Sequence, residues 1–303
     1  MIPKIVAQMA RGFAMGAADV VPGVSGGTVA LVLGIYQKLI DSIRDGSRAL
    51  GTLLKGDLKG FWARFSALDL LFLLPLLAGI LLAVGSLASI IETQLHDNPE
   101  EMAGLFFGLV AASVLVAWRL VRSHTPTQVT IIVAVGVLVF ALLGFQSGPV
   151  ADPSPIVYLG AGALAICAMI LPGISGSFIL LMIGMYASVI GAVDERAITE
   201  LALLAVGAIV GLALFSSALG WVLDRAFDRV MAVLIGLMLG SLRVLWPWPN
   251  GVGVISEDQS EVIDGTGLEW PDGSDLVGPT LLAVLAVVLV MGMAKLGERG
   301  PAH

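Results

Sequence analysis

The sequence predicts an all-α polytopic membrane protein made of two inverted-topology repeats, each a re-entrant helical hairpin followed by three transmembrane helices. Three observations predict it. Of the 303 residues, 57% are hydrophobic and 13% charged, about half the charged share of a soluble domain, and the mean hydropathy is +0.97. Two apolar segments carry a Pro-Gly pair near their middles, Pro22-Gly23 and Pro172-Gly173. The residues around those two pairs are alike.

Plain apolar stretches at 68-91, 103-121, 128-147, 201-223, 230-246 and 276-296 match the roughly 20 residues that cross a hydrocarbon core. Segments 5-36 and 156-190 are too long for one crossing, since a continuous helix over either would reach roughly 50 Å. Proline removes an amide hydrogen and clashes with the preceding turn, so each segment should break into two half-helices at its Pro-Gly pair.

Loop charge decides whether those broken segments cross or turn back. With re-entrant hairpins and a cytoplasmic N-terminus, residues 1-11, 37-67, 119-127, 223-229 and the tail after 295 are cytoplasmic. They hold every one of the 16 Lys and Arg except Arg196 and Arg243. Crossing hairpins would put the basic 37-67 opposite the N-terminus, against the positive-inside rule. Both termini are then cytoplasmic. Loop 92-102 and the acidic loop 247-275, which has no Lys or Arg, are external. Lys4 and Arg11 ahead of an apolar run resemble a signal peptide, but Asp19 and Pro22-Gly23 interrupt that run, so it reads as part of the mature fold.

The repeat is the most informative feature. ADVVPGVSGGTVALVLGIY at 18-36 aligns without gaps on AMILPGISGSFILLMIGMY at 168-186, a shift of 150. Further on the shift is 128, pairing Gly79 with Gly207, Gly108 with Gly236, Ser113 with Ser241 and Trp118 with Trp246. The repeats are therefore 1-150 and 151-303. One hairpin plus three spans makes an odd number of crossings, so the second unit is inverted, as in many secondary transporters.

Irregular backbone at membrane depth needs polar partners, so the two tips should face each other. A half-helix starting after Pro22-Gly23 would present amides with the Ser25 and Thr28 hydroxyls and the bare backbones of Gly23, Gly26 and Gly27. Gly173, Ser175, Gly176 and Ser177 would face them beyond Pro172. Such tips suit an anion, although small-residue packing also explains each motif taken singly. Asp19 stands inside an apolar segment and needs a reason. It couples transport to a proton or cation, or it caps the broken helix or pairs with Arg11, and its counterpart is Met169. Arg11 is either a phosphate partner or a topological anchor.

Other chemistry finds little support. His96, His124 and His303 lie in loops or the tail, no metal-ligating cluster is present, and Ser25 and Ser175 have no base near them in sequence. The lone Cys167 excludes an internal disulfide. No cofactor is implied, and a net charge of -7 does not favour nucleic acid. The stretch 37-67, with Phe61, Trp62 and Phe65, suits a surface-lying amphipathic segment on anionic lipid.

RGFAMGAADVVPGVSGGTVALVLGIY and MILPGISGSFILLMIGMY resemble a bacterial and archaeal membrane family, once a domain of unknown function and since assigned as polyprenyl-phosphate transporters of the PopT type. The resemblance covers nearly the whole chain, least so 247-275. It implies a flippase that returns undecaprenyl phosphate or a close relative to the cytoplasmic leaflet for envelope synthesis. It also implies that the phosphate sits between the tips, held by helix-end amides and by Ser25, Thr28, Ser175 and Ser177. Phe178 in place of a second Thr28 departs from a symmetric scheme. A carrier of small soluble anions, an intramembrane lipid phosphatase and a structural scaffold are the competing readings.

Overall fold

The computed structural model describes residues 2-21, 24-144, 150, 152-249, 268-271, 273 and 275-298. Pro22, Gly23 and most of the acidic loop 247-275 lie outside them. The described residues form helices and connections, with no strand among them. In chain order the helices are α1 (Ile2–Asp19), α2 (Gly26–Val32), α3 (Tyr36–Leu54), α4 (Leu58–Phe65), α5 (Leu70–Asp97), α6 (Pro99–Leu120) and α7 (Pro126–Leu142). There follow α8 (Pro155–Ile170), α9 (Gly176–Met182), α10 (Tyr186–Asp194), α11 (Ile198–Ser241) and α12 (Val277–Glu298).

Local chemistry explains the boundaries. Pro99, Pro126 and Pro155 open α6, α7 and α8, where the missing amide hydrogen costs nothing. Asp57 and Asp69 cap α4 and α5 through bonds from the Gly60 and Phe72 amides. α2 and α9 end alike. Gly34 has φ +69° and Gly184 φ +71°, and the Gly34 and Ile35 amides donate to Leu31 and Ala30 as those of Gly184 and Met185 do to Leu181 and Leu180. This is the left-handed C-terminal cap that favours glycine. Each of the two segments therefore breaks twice, not once as the Pro-Gly pairs alone suggest. α9 and α10 meet at a bend of 113°, and the long, amphipathic α3 leaves at Tyr36 into the stretch expected to be a surface segment.

Among the described residues, four helices are long and apolar enough to cross a membrane: α5, α6, α12, and α11 with its 3-10 extension to Leu245. At 44 residues α11 would reach about 66 Å, more than twice a hydrocarbon core. Ala226, at φ -141° and ψ 46°, interrupts it, so the expected spans 201-223 and 230-246 are its two halves. The expected spans 68-91, 103-121 and 276-296 are α5, α6 and α12. Span 128-147 is α7, which is shorter and ends at Leu142. Leucines at positions 71, 74, 77 and 81 of α5 and valines of α7 and α12 are exposed, the pattern of a lipid-facing surface.

Close packing recurs at the shifts seen in the sequence. A Cβ on Gly12 would lie 2.0 Å from the Leu76 carbonyl oxygen, and one on Gly79 2.1 Å from that of Met9, which seats α1 on α5. The corresponding Gly162 and Gly207 meet Leu204 at 2.1 Å and Leu159 at 1.9 Å, seating α8 on α11. Gly104 and Gly108 admit α12 onto α6, and Gly236 and Gly240 admit α7 onto the second half of α11. Small residues let membrane helices approach backbone to backbone. The third span of each half thus packs on the second span of the other, and the short helices α2 and α9 lie between.

Candidate functional site

The break after α8 leaves the last carbonyls of that helix without intrahelical donors. The first tip supplies them. Ser25 Oγ donates to the Met169 carbonyl at 2.9 Å, and Tyr36 OH to that of Ile170 at 3.2 Å. In the other direction the Gly173 amide donates to Thr28 Oγ1 at 2.9 Å. Gly173 adopts φ +87°, and a Cβ there would lie 2.7 Å from Met238 Cα, so glycine is required twice over. The tips face each other, joined by bonds that satisfy the groups the breaks expose.

The first tip is sealed. Asp19 Oδ1 accepts the Gly26 amide at 2.6 Å, and Ser25 Oγ accepts that of Gly27 at 3.1 Å. The Thr28 amide reaches the Ser25 carbonyl at 2.9 Å. Thr28 is 0% exposed, and a Cβ on Gly27 would press on the Ile170 carbonyl oxygen at 2.7 Å. Gly26, Gly27, Thr28 and Gly173 therefore form the joint between the tips. α2 and α9 have seven residues each, which leaves little macrodipole to attract an anion.

The second tip is open. Ser175 caps no amide with its side chain. Its Oγ lies 2.8 Å from that of Ser177. Beside them is a cavity of about 430 Å³ whose polar end is formed by Asp19, Ser25, Ser175, Gly176 and Ser177. Its remaining wall is largely apolar and includes Ile166, Met169, Leu180, Tyr186, Val189 and Leu204. Hydroxyl donors at one end of an apolar cavity suit an amphiphile with a small anionic head.

Of the residues singled out in the sequence, Asp19, Ser25, Ser175, Gly176 and Ser177 line this cavity. Pro172 is buried at the break, and Pro22 and Gly23 lie outside the described residues. Arg11 is elsewhere, eight positions before Asp19 on α1, about 12 Å along the axis. Its Nη1 donates to Gln8 Oε1 at 2.7 Å. Asp19 acts as a cap on the Gly26 amide. Sequence reasoning gave no role to Tyr36 and Tyr186, although their recurrence at one shift was a signal. The Met169 and Ile170 carbonyls had no signal, because a backbone acceptor leaves no mark in side-chain identity.

The lipid-facing helices, the broken segments between them and the buried polar joint define a multi-pass helical membrane protein. Residues 15-263 match the family model described as undecaprenyl phosphate translocase-like, and the chain belongs to that family. It is 37% identical over 298 residues to the polyprenyl-phosphate transporter of Vibrio cholerae, covering 95% of this chain and 96% of that one. It is 34% identical over 254 residues to the polyprenyl-phosphate transporter of Staphylococcus aureus, covering 78% and 84%. Comparison with solved structures gives no match.

Proposed function

We propose that the chain transports a polyprenyl phosphate such as undecaprenyl phosphate between leaflets, returning it to the cytoplasmic face for cell-envelope synthesis. The observation that carries the reading is the cavity at the second tip. The Ser175 and Ser177 hydroxyls stand at its polar end and an apolar wall follows, so the phosphate sits at the serines while the isoprenoid remains in lipid. The substrate named for both bacterial relatives has this form. On this reading the repeats are inverted and the hairpins re-entrant, and both termini are cytoplasmic. α2 and α9, at about 10 Å, are too short to finish a crossing. The second-tip cavity then opens toward the outer leaflet.

Asp19 lines the same cavity, and a carboxylate beside a phosphate repels it unless one of the two is protonated. We assign Asp19 a coupling role in which a proton arrives with the lipid phosphate. Asparagine would keep an acceptor for the Gly26 amide. Asp19→Asn is therefore expected to preserve the fold while abolishing the gain in transport on external acidification. An unaltered pH profile returns Asp19 to capping alone.

Reconstituted vesicles test the whole reading. A labelled short-chain polyprenyl phosphate added to one leaflet is followed by extraction, with inorganic phosphate assayed in parallel. Movement between leaflets without phosphate release is expected. Release of phosphate means a lipid phosphatase, uptake of free phosphate alone means a small-anion carrier, and an unchanged distribution overturns transport.

A further inference from the structure

In the bonds between the tips the side chains belong to the first tip and the backbone groups to the second. Ser25, Thr28 and Tyr36 of the first repeat serve the backbone of the second, whereas Ser175 pairs with Ser177 and Tyr186 lines the cavity. Burial follows the same asymmetry. Applying the shifts of 150 and 128 to the cavity wall converts Tyr186, Ile190 and Leu204, which are half-buried, into Tyr36, Ile40 and Leu76. These three are 5%, 0% and 2% exposed. One hairpin is open and its counterpart is closed, although the same glycine contacts seat both.

An ion pair straps the closed side. Arg44, the ninth residue of α3, reaches across to α11. Arg44 Nη1 lies 2.9 Å from Asp224 Oδ2 and Nη2 2.8 Å from Asp41 Oδ1, with the arginine side chain 15% exposed. A Cβ on Gly220 would lie 2.8 Å from Nη1, so α11 is cut away where the guanidinium seats. The position corresponding to Arg44 in the second repeat is Asp194, which is exposed.

Resting on the inverted-repeat reading above, we propose that the chain has a second cavity, closed in this conformation, between α1, α2, α3 and α5. Asp19 and Ser25 form its polar end, and Tyr36, Ile40 and Leu76 its wall. It receives the same phosphate-bearing lipid headgroup once the repeats exchange roles, and the Arg44–Asp224 pair sets how often that happens. In the exchanged state Ser175 donates to the Asp19 carbonyl and Tyr186 to that of Val20. Two cavities of opposite access, each closed when the other opens, move a headgroup without a continuous pore.

Thiol accessibility in the full chain tests this without any lipid substrate. Ile40→Cys and Ile190→Cys are placed separately in a Cys167→Ser background, in phosphatidylethanolamine–phosphatidylglycerol vesicles, with an impermeant methanethiosulfonate on both sides. Ile190→Cys is expected to react readily and Ile40→Cys slowly. Adding Arg44→Ala is expected to raise the Ile40→Cys rate about fivefold, what an ion pair of this exposure is worth, and to lower that of Ile190→Cys. Should Arg44→Ala fail to fold, Asp224→Asn removes the pair with less change of shape. An unchanged Ile40→Cys rate overturns the second cavity, and so does a rise without the fall at position 190, which is local fraying. Because labelling is independent of substrate, reciprocal labelling without lipid transfer would overturn the polyprenyl phosphate reading and leave the cavity standing.

Discussion

At the scale of single residues, the serines and the threonine of the two tips look interchangeable in sequence but have different work. Thr28 Oγ1 is the acceptor for the buried Gly173 amide, so Thr28→Val leaves that donor unpaired at a cost of about 1–3 kcal/mol. Denaturant unfolding in detergent should show this loss. Ser25→Ala similarly removes the donor to the Met169 carbonyl and should lower stability by a comparable amount. Ser175 and Ser177 bond each other at the cavity, and replacing both by Ala removes donor and acceptor together, which is close to neutral for folding. That double variant should unfold normally and lose most lipid transfer in the vesicle assay. Full transfer would take the serines out of the site. The sequence marked Ser25 and Ser175 through the repeated Pro-Gly-x-Ser-Gly, and Thr28 and Ser177 stand within two residues of it. It could not divide joint from cavity, because the division depends on which tip is closed.

At the scale of elements, the spans and the two broken segments were legible because apolar length and the spacing of Gly, Pro and Tyr survive in the chain. The second break in each segment was legible only in part. Gly34 and Gly184 stood out as a matched pair, but a glycine in an apolar run is common, and its left-handed backbone becomes evident only from the capping bonds around it. Glycines in the spans divide similarly. Gly207 sits where a Cβ would meet the Leu159 carbonyl oxygen at 1.9 Å, while a Cβ on Gly85 meets nothing within 4 Å. Gly207→Leu should therefore separate α8 from α11, lower stability by about 1–3 kcal/mol or more, and distort the cavity wall at Leu204. Gly85→Leu, on the same kind of helix, should be tolerated. Thermal unfolding in detergent compares the pair, and equal behaviour would mean that glycine packing does not hold α11 on α8.

At the scale of the molecule, charge and packing bear on one orientation from independent directions. The basic helices α3 and α4 lie at one end, where Lys38 pairs with Asp69, Arg44 reaches Asp224, and Asp228 accepts from the Arg122 and Ser123 amides. Those contacts join the loops that the positive-inside rule assigns to the cytoplasm. Trp246 stacks on Trp270 and bonds the Glu269 carbonyl, which ties the acidic loop to the end of α11 and its 3-10 extension. Lys59 and Leu268 are both exposed, so each can carry a cysteine at little structural cost. In intact cells, with Cys167 replaced by Ser, an impermeant maleimide should label Leu268→Cys and reach Lys59→Cys only after permeabilisation. The reverse pattern would invert the assignment of leaflets, and with it the direction in which the cavity at Ser175 and Ser177 presents a headgroup. Labelling of both sites in intact cells would place the two loops on one side. An odd number of crossings per repeat would then be impossible, and the exchange of roles between the hairpins would lose its geometric basis.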